Sequence, residues 1–359
     1  MPGRIIDLHR QLRPGNRSRG IIRKRLPPAG VLELQSHRQL GGVMAVLQPI
    51  SLMADAFARH LTRAFEDCFG GSAPRQTELL GEAARLAVER LSLSDALYHN
   101  AEHTILVTLV AQDILRGRRL RYDVPPDAWL HVILAALAHD IGYVRGVCRG
   151  DDSRRCVINA EGDTIELPRG ASDAFLAPYH IERSKIAVRE RLAGNDLVDT
   201  DRLARAIELT RFPVPDDDDH RETDTEAAFV RAADLIGQLG DPLYPRKLNA
   251  LYHEFVETGV NVALGYANPA DVADLYPRFF WSKVEPFLGD AVHALGMTVE
   301  GRQWLANLYS HVCVIEHGRR TMGPSAGPDP ARPTAGLIVR DFSHGTPPLQ
   351  RVGEAGDGP

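Results

Sequence analysis

Cysteine is scarce: four in 359 residues, too few for the disulfide framework that stabilises small secreted domains. Reduced thiols in a cytoplasmic chain are the plain expectation. Cys148 and Cys156, which bracket CRGDDSRRC, are the one pair that could close a loop or hold a metal. Long apolar runs are missing too, and none approaches the roughly 20 residues needed to span a bilayer. Near the N-terminus Arg4 and Arg10 are not followed by an apolar stretch and a small-residue cleavage site, so no secretion signal is read. Neither sign of charge dominates. A net charge of −5 and a pI near 6.3 give no bulk attraction to nucleic acid or to a membrane surface. Lysine is almost absent, four residues among 42 basic ones, a bias that points to nucleotide composition of the gene rather than to function.

What is present is ordinary globular material, 44% hydrophobic and 25% charged. Residues 1 to 51 are rich in Arg, Pro and Gly and are expected to be a disordered tail, with Met44 or Met53 as alternative starts just before the first good helix. From Leu52 to Asp67 and from Pro74 to Leu93 the apolar residues recur at helical spacing. A third helix carries YHNAEH (98–103) to about Leu115, stopped near Gly117. A fourth, AWLHVILAALAHD, opens at Pro125-Pro126-Asp127 and ends near Gly142. Residues 144 to 178 break the pattern, and Val157–Asn159 and Thr164–Leu167 around Glu161-Gly162-Asp163 predict a small β-hairpin insertion. Helices resume at His180–Leu192, Asp201–Thr210, Asp224–Leu239, Tyr244–Gly259, Ala270 to about Leu295 and Val299 to about Glu316. The stripe Leu248, Leu251, Tyr252, Phe255 and Val256 should face a core. Residues 318 to 359 are Gly- and Pro-rich and are read as a second disordered tail. The expectation is therefore one all-α domain over residues 52 to 317.

The chemistry-bearing residues lie on the apolar faces. His99 and His103 stand four apart, on a predicted helix face continued by Leu106 and Val110, so both imidazoles should point inward. His139 and Asp140 close the most apolar helix of the chain, with no Lys or Arg before Arg145 to neutralise the carboxylate. Asp234 lies between Ala233 and Leu235-Ile236, with Arg231 three residues away as a possible partner. A buried carboxylate is costly unless paired or bound to a cation. Two such carboxylates and several inward imidazoles are explained together by one divalent site. Arg145, Arg149, Arg154 and Arg155 could steer an anion, diluted by Asp151 and Asp152. The run Asp216–Asp219 reads as a solvated loop.

YHNAEH (98–103), HDIG (139–142) and ADLIGQLGDPLY (233–244), in that order, resemble the HD superfamily of metal-dependent phosphohydrolases, closest locally to its cyclic-nucleotide phosphodiesterase-like branch. The resemblance covers roughly residues 75 to 317. It implies an HD-domain helical bundle and a phosphohydrolase that cleaves a phosphodiester or nucleotide phosphoester with metal-activated water. His103, His139, Asp140 and Asp234 would be metal ligands, with Asp140 able to bridge to a second ion, and His99 would donate a proton to the leaving oxygen. One or two divalent ions are implied, and Mn, Mg, Fe and Zn all suit His and Asp donors. Where that branch has a His three residues beyond the HD Asp, this chain has Tyr143, and the second-metal role could pass to His180. The branch's purine-gripping Gln is not evident, and Tyr276 falls near its place. Tyr98, Asn100, Tyr143, Glu182 and Gln238 are candidate contacts to a small phosphorylated substrate. Alternatives are a di-iron oxygenase on the same scaffold and a non-catalytic module that senses a nucleotide.

Overall fold

A computed structural model describes residues 48–317; both expected tails, and Met44, lie outside the described residues apart from the short stretch from residue 48 to 51. The chain runs through helices α1 (Pro49–Phe69), α2 (Pro74–Leu91), α3 (Ala101–Arg119) and α4 (Pro126–Ala138) into a hairpin of β1 (Arg155–Val157) and β2 (Thr164–Glu166). Helices α5 (His180–Leu192), α6 (Thr200–Leu209), α7 (Asp218–Arg221), α8 (Glu226–Leu239) and α9 (Tyr244–Thr258) follow. The described part ends with α10 (Val260–Leu264), α11 (Pro269–Phe279), α12 (Gly289–Leu295) and α13 (Val299–Glu316). The class is all-α with a small β-hairpin, as the periodicity predicts.

Helix α4 is the centre of the packing. Every residue from Ala128 to Leu137 is buried, because α2, α3, α6 and α8 surround it. That is why its sequence is apolar all round rather than striped. Pro126 starts it where a missing N–H is harmless. Helices α1 and α2 pack as a pair on one side, and α12 and α13 pack against α3.

Three boundaries differ from the sequence reading for visible reasons. Helix α3 begins at Ala101, because Asn100 is extended and its side-chain oxygen caps the N–H groups of Glu102 and His103. YHNAEH therefore straddles a helix start, and His99 lies outside the helix. The hairpin's first strand lies two residues earlier than expected, with Arg155 opposite Glu166. Asp151 accepts the Val157 N–H and Asn159 is taken into the turn with Asp163. The long helix expected from Ala270 to Leu295 is broken after Phe279 by a π turn, Phe280–Val284, and a short 3-10 turn containing Pro286, since proline removes a backbone donor. Val256, expected in the core, is 46% exposed.

Candidate metal centre

Helices α3 and α8 bring the first two donors together, and a glycine sets how closely. A Cβ on Gly237 would sit 2.8 Å from the Val107 Cα, so only glycine lets the helices cross here. Val107 is one turn beyond His103 and Gly237 is three residues beyond Asp234, and the His103 Nε2 lies 3.1 Å from Asp234 Oδ1. His139, the residue that ends α4, places its Nε2 3.4 Å from His103 Nε2 and 3.6 Å from Asp234 Oδ1. Asp140 Oδ2 approaches the same two nitrogens, at 3.4 Å from His103 and 3.3 Å from His139. Gly142 does not end α4 but lets α5 in: a Cβ there would meet the His180 carbonyl oxygen at 2.0 Å.

Donors around one ion with bonds of about 2.1 Å lie about 3.0–3.4 Å apart for octahedral or tetrahedral arrangement. The observed separations fall close to that range. His103, His139 and Asp234 form the mutually close set, with ligand atoms all within 4.8 Å, and could hold a metal ion. The tautomer also fits. The His139 Nδ1 donates to the Ala136 carbonyl at 2.8 Å, so Nε2 is the nitrogen that faces the cluster and could give its lone pair to a cation in exchange for a proton. The Asp140 Oδ2 is buried without any hydrogen-bond partner in the protein, a costly state that a cation beside it would relieve.

Burial alone would raise the Asp140 carboxyl, but the His139, His99 and His103 imidazoles hold it well below the usual carboxylate range. Burial would likewise raise Asp234, and His139 with His103 holds it well below that range. Burial would lower His139, but Asp140 and Asp234 raise it well above its ordinary value. Opposite charge is thus concentrated at one point, where a cation can replace a proton.

A second layer of rings adjoins the cluster. The His99 ring stacks on Tyr143 with centroids 4.8 Å apart and planes at 6°, and Tyr143 stacks on His180 at 4.6 Å and 25°. His180 donates from Nδ1 to the Ala177 carbonyl and points Nε2 at Asp140 Oδ1, 3.7 Å away. Glu254 of α9 organises His99: its carboxylate accepts the Tyr98 N–H at 2.7 Å, the His99 N–H at 3.2 Å and the His99 Nδ1–H at 2.5 Å. Nε2 is left free. Burial would lower His99, but Glu254, helped by Asp140 and Asp234, raises it to about 9. The side chains of His99, His180 and Asp234 are 19%, 19% and 20% exposed, whereas His103, His139 and Asp140 are sealed, so solvent reaches the cluster at those three.

Glu254 escaped the sequence reading. Its one signal was an acidic residue three positions after Leu251, on a helix face otherwise assigned to the core. Other expected residues take different places. Asn100 is the α3 cap, and its Nδ2 donates to the Leu97 carbonyl. Glu182 is engaged by Lys185 at 2.8 Å and Arg211 at 2.7 Å. Gln238 bonds the Tyr244 hydroxyl, and Tyr98 packs its ring on His103. Arg231 does not pair with Asp234: it donates to the His220 and Glu222 carbonyls. Tyr276 is buried against Tyr244 and Phe280. Of the arginines after Asp140, Arg145 pairs with Asp95 and Asp173 and Arg155 with Asp152, whereas the Arg149 guanidinium donates to the Glu190 carbonyl and Arg154 bonds Asp152 only through its backbone N–H. Cys148 and Cys156 are buried free thiols, and neither closes a loop by disulfide.

Among known families, Npun_R2479-like matches residues 47–318, which is most of the chain and nearly all of the described part. No curated protein and no solved structure matches the chain.

Proposed function

The chain belongs to the Npun_R2479-like family, and we propose that it is a metal-dependent phosphohydrolase of HD type acting on a phosphodiester or a nucleotide phosphoester. The observation that carries this reading is the convergence of two imidazole nitrogens and two carboxylates, 3.1 to 3.6 Å from one another across each His–His and His–Asp pair, beside an imidazole held by a buried glutamate. In this reading His103, His139, Asp140 and Asp234 hold one divalent ion. When bound, such an ion supplies a Lewis acid that lowers the pKa of water from about 15.7 towards 7 and polarises a phosphoryl oxygen.

The remaining work falls to the chain's own groups. Glu254 accepts from the His99 Nδ1, which fixes the ring and keeps the proton-bearing Nε2 free to serve the leaving oxygen. A raised pKa keeps that proton in place at neutral pH. Such general-acid assistance is worth about 10²–10⁴-fold. His180 borders the same opening as His99 and Asp234, and Tyr143 packs between the two imidazoles behind it.

The test is to purify the protein, measure its metal, and assay cyclic nucleotides, nucleotides and generic phosphodiesters with that metal supplied. Asp140→Ala should lose both metal and hydrolysis. Turnover by that variant at the rate of the unaltered chain sinks the reading. O₂ consumption without phosphate release would instead identify an oxygenase, and nucleotide binding without turnover a sensing module.

A further inference from the structure

A second ion bridged by Asp140 would need protein donors around the carboxylate's other oxygen. Among the described residues that oxygen, Oδ1, has one nitrogen of ligand type within 4.0 Å, His180 Nε2 at 3.7 Å. Among the described residues a single group of three or more His, Cys, Asp or Glu donors has ion-binding spacing, and it is His103, His139 and Asp234. The remaining carboxylates are committed: Glu182 to Lys185 and Arg211, Glu254 to three N–H donors, Asp241 to Lys247 and the Leu243 N–H.

The space is committed as well. Tyr143 lies between His99 and His180 with ring centroids 4.8 and 4.6 Å away, which is van der Waals contact for stacked rings. Ligand bonds to an ion run at about 2.0–2.2 Å, so a second ion at Asp140 Oδ1 would have to draw on the edge of the His180 ring, whose face is covered by Tyr143. Tyr143 is held there by its backbone: its N–H donates to the Asp140 carbonyl within the turn Ile141–Tyr143, and that turn is pressed on α5 through Gly142. The backbone fixes where the side chain starts, and the ring itself is held by burial and by the two imidazoles stacked on its faces.

We propose that the centre holds a single divalent ion, and that Tyr143, wedged between His99 and His180, keeps a second ion out. The proposal rests on the metal reading above. His180 is then a wall of the opening and a neighbour of Asp140 Oδ1 rather than a ligand.

The experiment loads the metal-stripped full chain with excess Mn²⁺, removes free ion by gel filtration, and reads bound Mn per protomer and its electron paramagnetic resonance spectrum. One equivalent with the hyperfine pattern of an isolated ion is expected. Tyr143→Phe, which keeps the stacked ring, should also bind one. Tyr143→His, which replaces the wedge with a donor beside His180, should bind two equivalents with an exchange-coupled spectrum. Two coupled ions in the unaltered chain overturn the proposal and leave the hydrolase reading standing. No retained Mn²⁺, with no metal found in the protein as purified, overturns the metal reading and this proposal together. If Tyr143→His folds by circular dichroism and still binds one ion, Tyr143 is not the cause of the count. If it does not fold, Tyr143→Ala, which removes the ring, takes its place, and one ion there likewise shows that Tyr143 is not the cause.

Discussion

At the scale of single residues, the two histidines of YHNAEH have different surroundings. His103 is sealed among donors of a metal set, whereas His99 is partly exposed and tied to Glu254. Replacing His99 by Gln should lower turnover about 10²–10⁴-fold with metal content unchanged; loss of metal would make it a ligand instead. The sign of the pH effect follows from its surroundings. Glu254, Asp140 and Asp234 raise His99 to about 9 against the opposing effect of burial. The acid form is present at neutral pH and is lost as pH rises through that value, or through a lower one once a cation sits nearby. Activity should fall on the alkaline side, and Glu254→Gln should move that limb to lower pH. Cysteine gives a separate check. Burial pushes the Cys148 thiol up to about 12 and raises Cys156, so at pH 8 both stay protonated in the folded state. Iodoacetamide followed by mass spectrometry should mark the exposed Cys313 and spare both until the chain is unfolded.

At the scale of elements, the site depends on how helices cross. Gly237→Ala puts a methyl group 2.8 Å from the Val107 Cα, so α3 and α8 must separate and carry His103 away from Asp234. A cost of about 1–3 kcal/mol is expected for such overpacking, together with weaker metal binding, read by denaturant unfolding and by titration with Mn²⁺. The insertion is anchored in a comparable way. Arg183 of α5 is fully buried and donates to the Gly142, Val144 and Val157 carbonyls while pairing with Asp151 at 3.0 Å. One side chain thus ties the hairpin to the turn after Asp140. The helices α2, α4, α5, α8 and α13 were legible in the sequence because long periodic stretches with clear start signals leave few alternatives. The start of α3 was less legible, since the same asparagine that looked like part of a helical motif is its cap. Helices α7 and α10 were not read at all, being too short for periodicity to register.

At the scale of the whole molecule, the centre draws its parts from α3, the end of α4, the start of α5, α8 and α9, so metal binding should stabilise the fold as a unit. A ligand that binds only the folded state adds about 2.7 kcal/mol at a concentration of 100 times Kd. Mn²⁺ should therefore raise Tm in a concentration-dependent way, and Asp234→Asn should remove most of that shift. No helix of the described residues is long and apolar enough to cross a membrane.

The sequence alone determined the class, the hairpin insertion and the inward-facing His103, His139 and Asp140, because burial of polar groups at apolar helical positions is a local pattern with few explanations. It also carried the resemblance on which the hydrolase reading is built. Only the tertiary structure decided which of those residues meet. The pairing of Glu254 with His99, the stacking of Tyr143 between two imidazoles, and the turning of Glu182, Arg231 and Asn100 to other partners all depend on helix crossings and cap geometry. Contacts such as that between His99 and Glu254, 155 residues apart in the chain, leave no periodic trace, because what joins them is the packing of α9 against the body of the fold and not the spacing of residues along the chain.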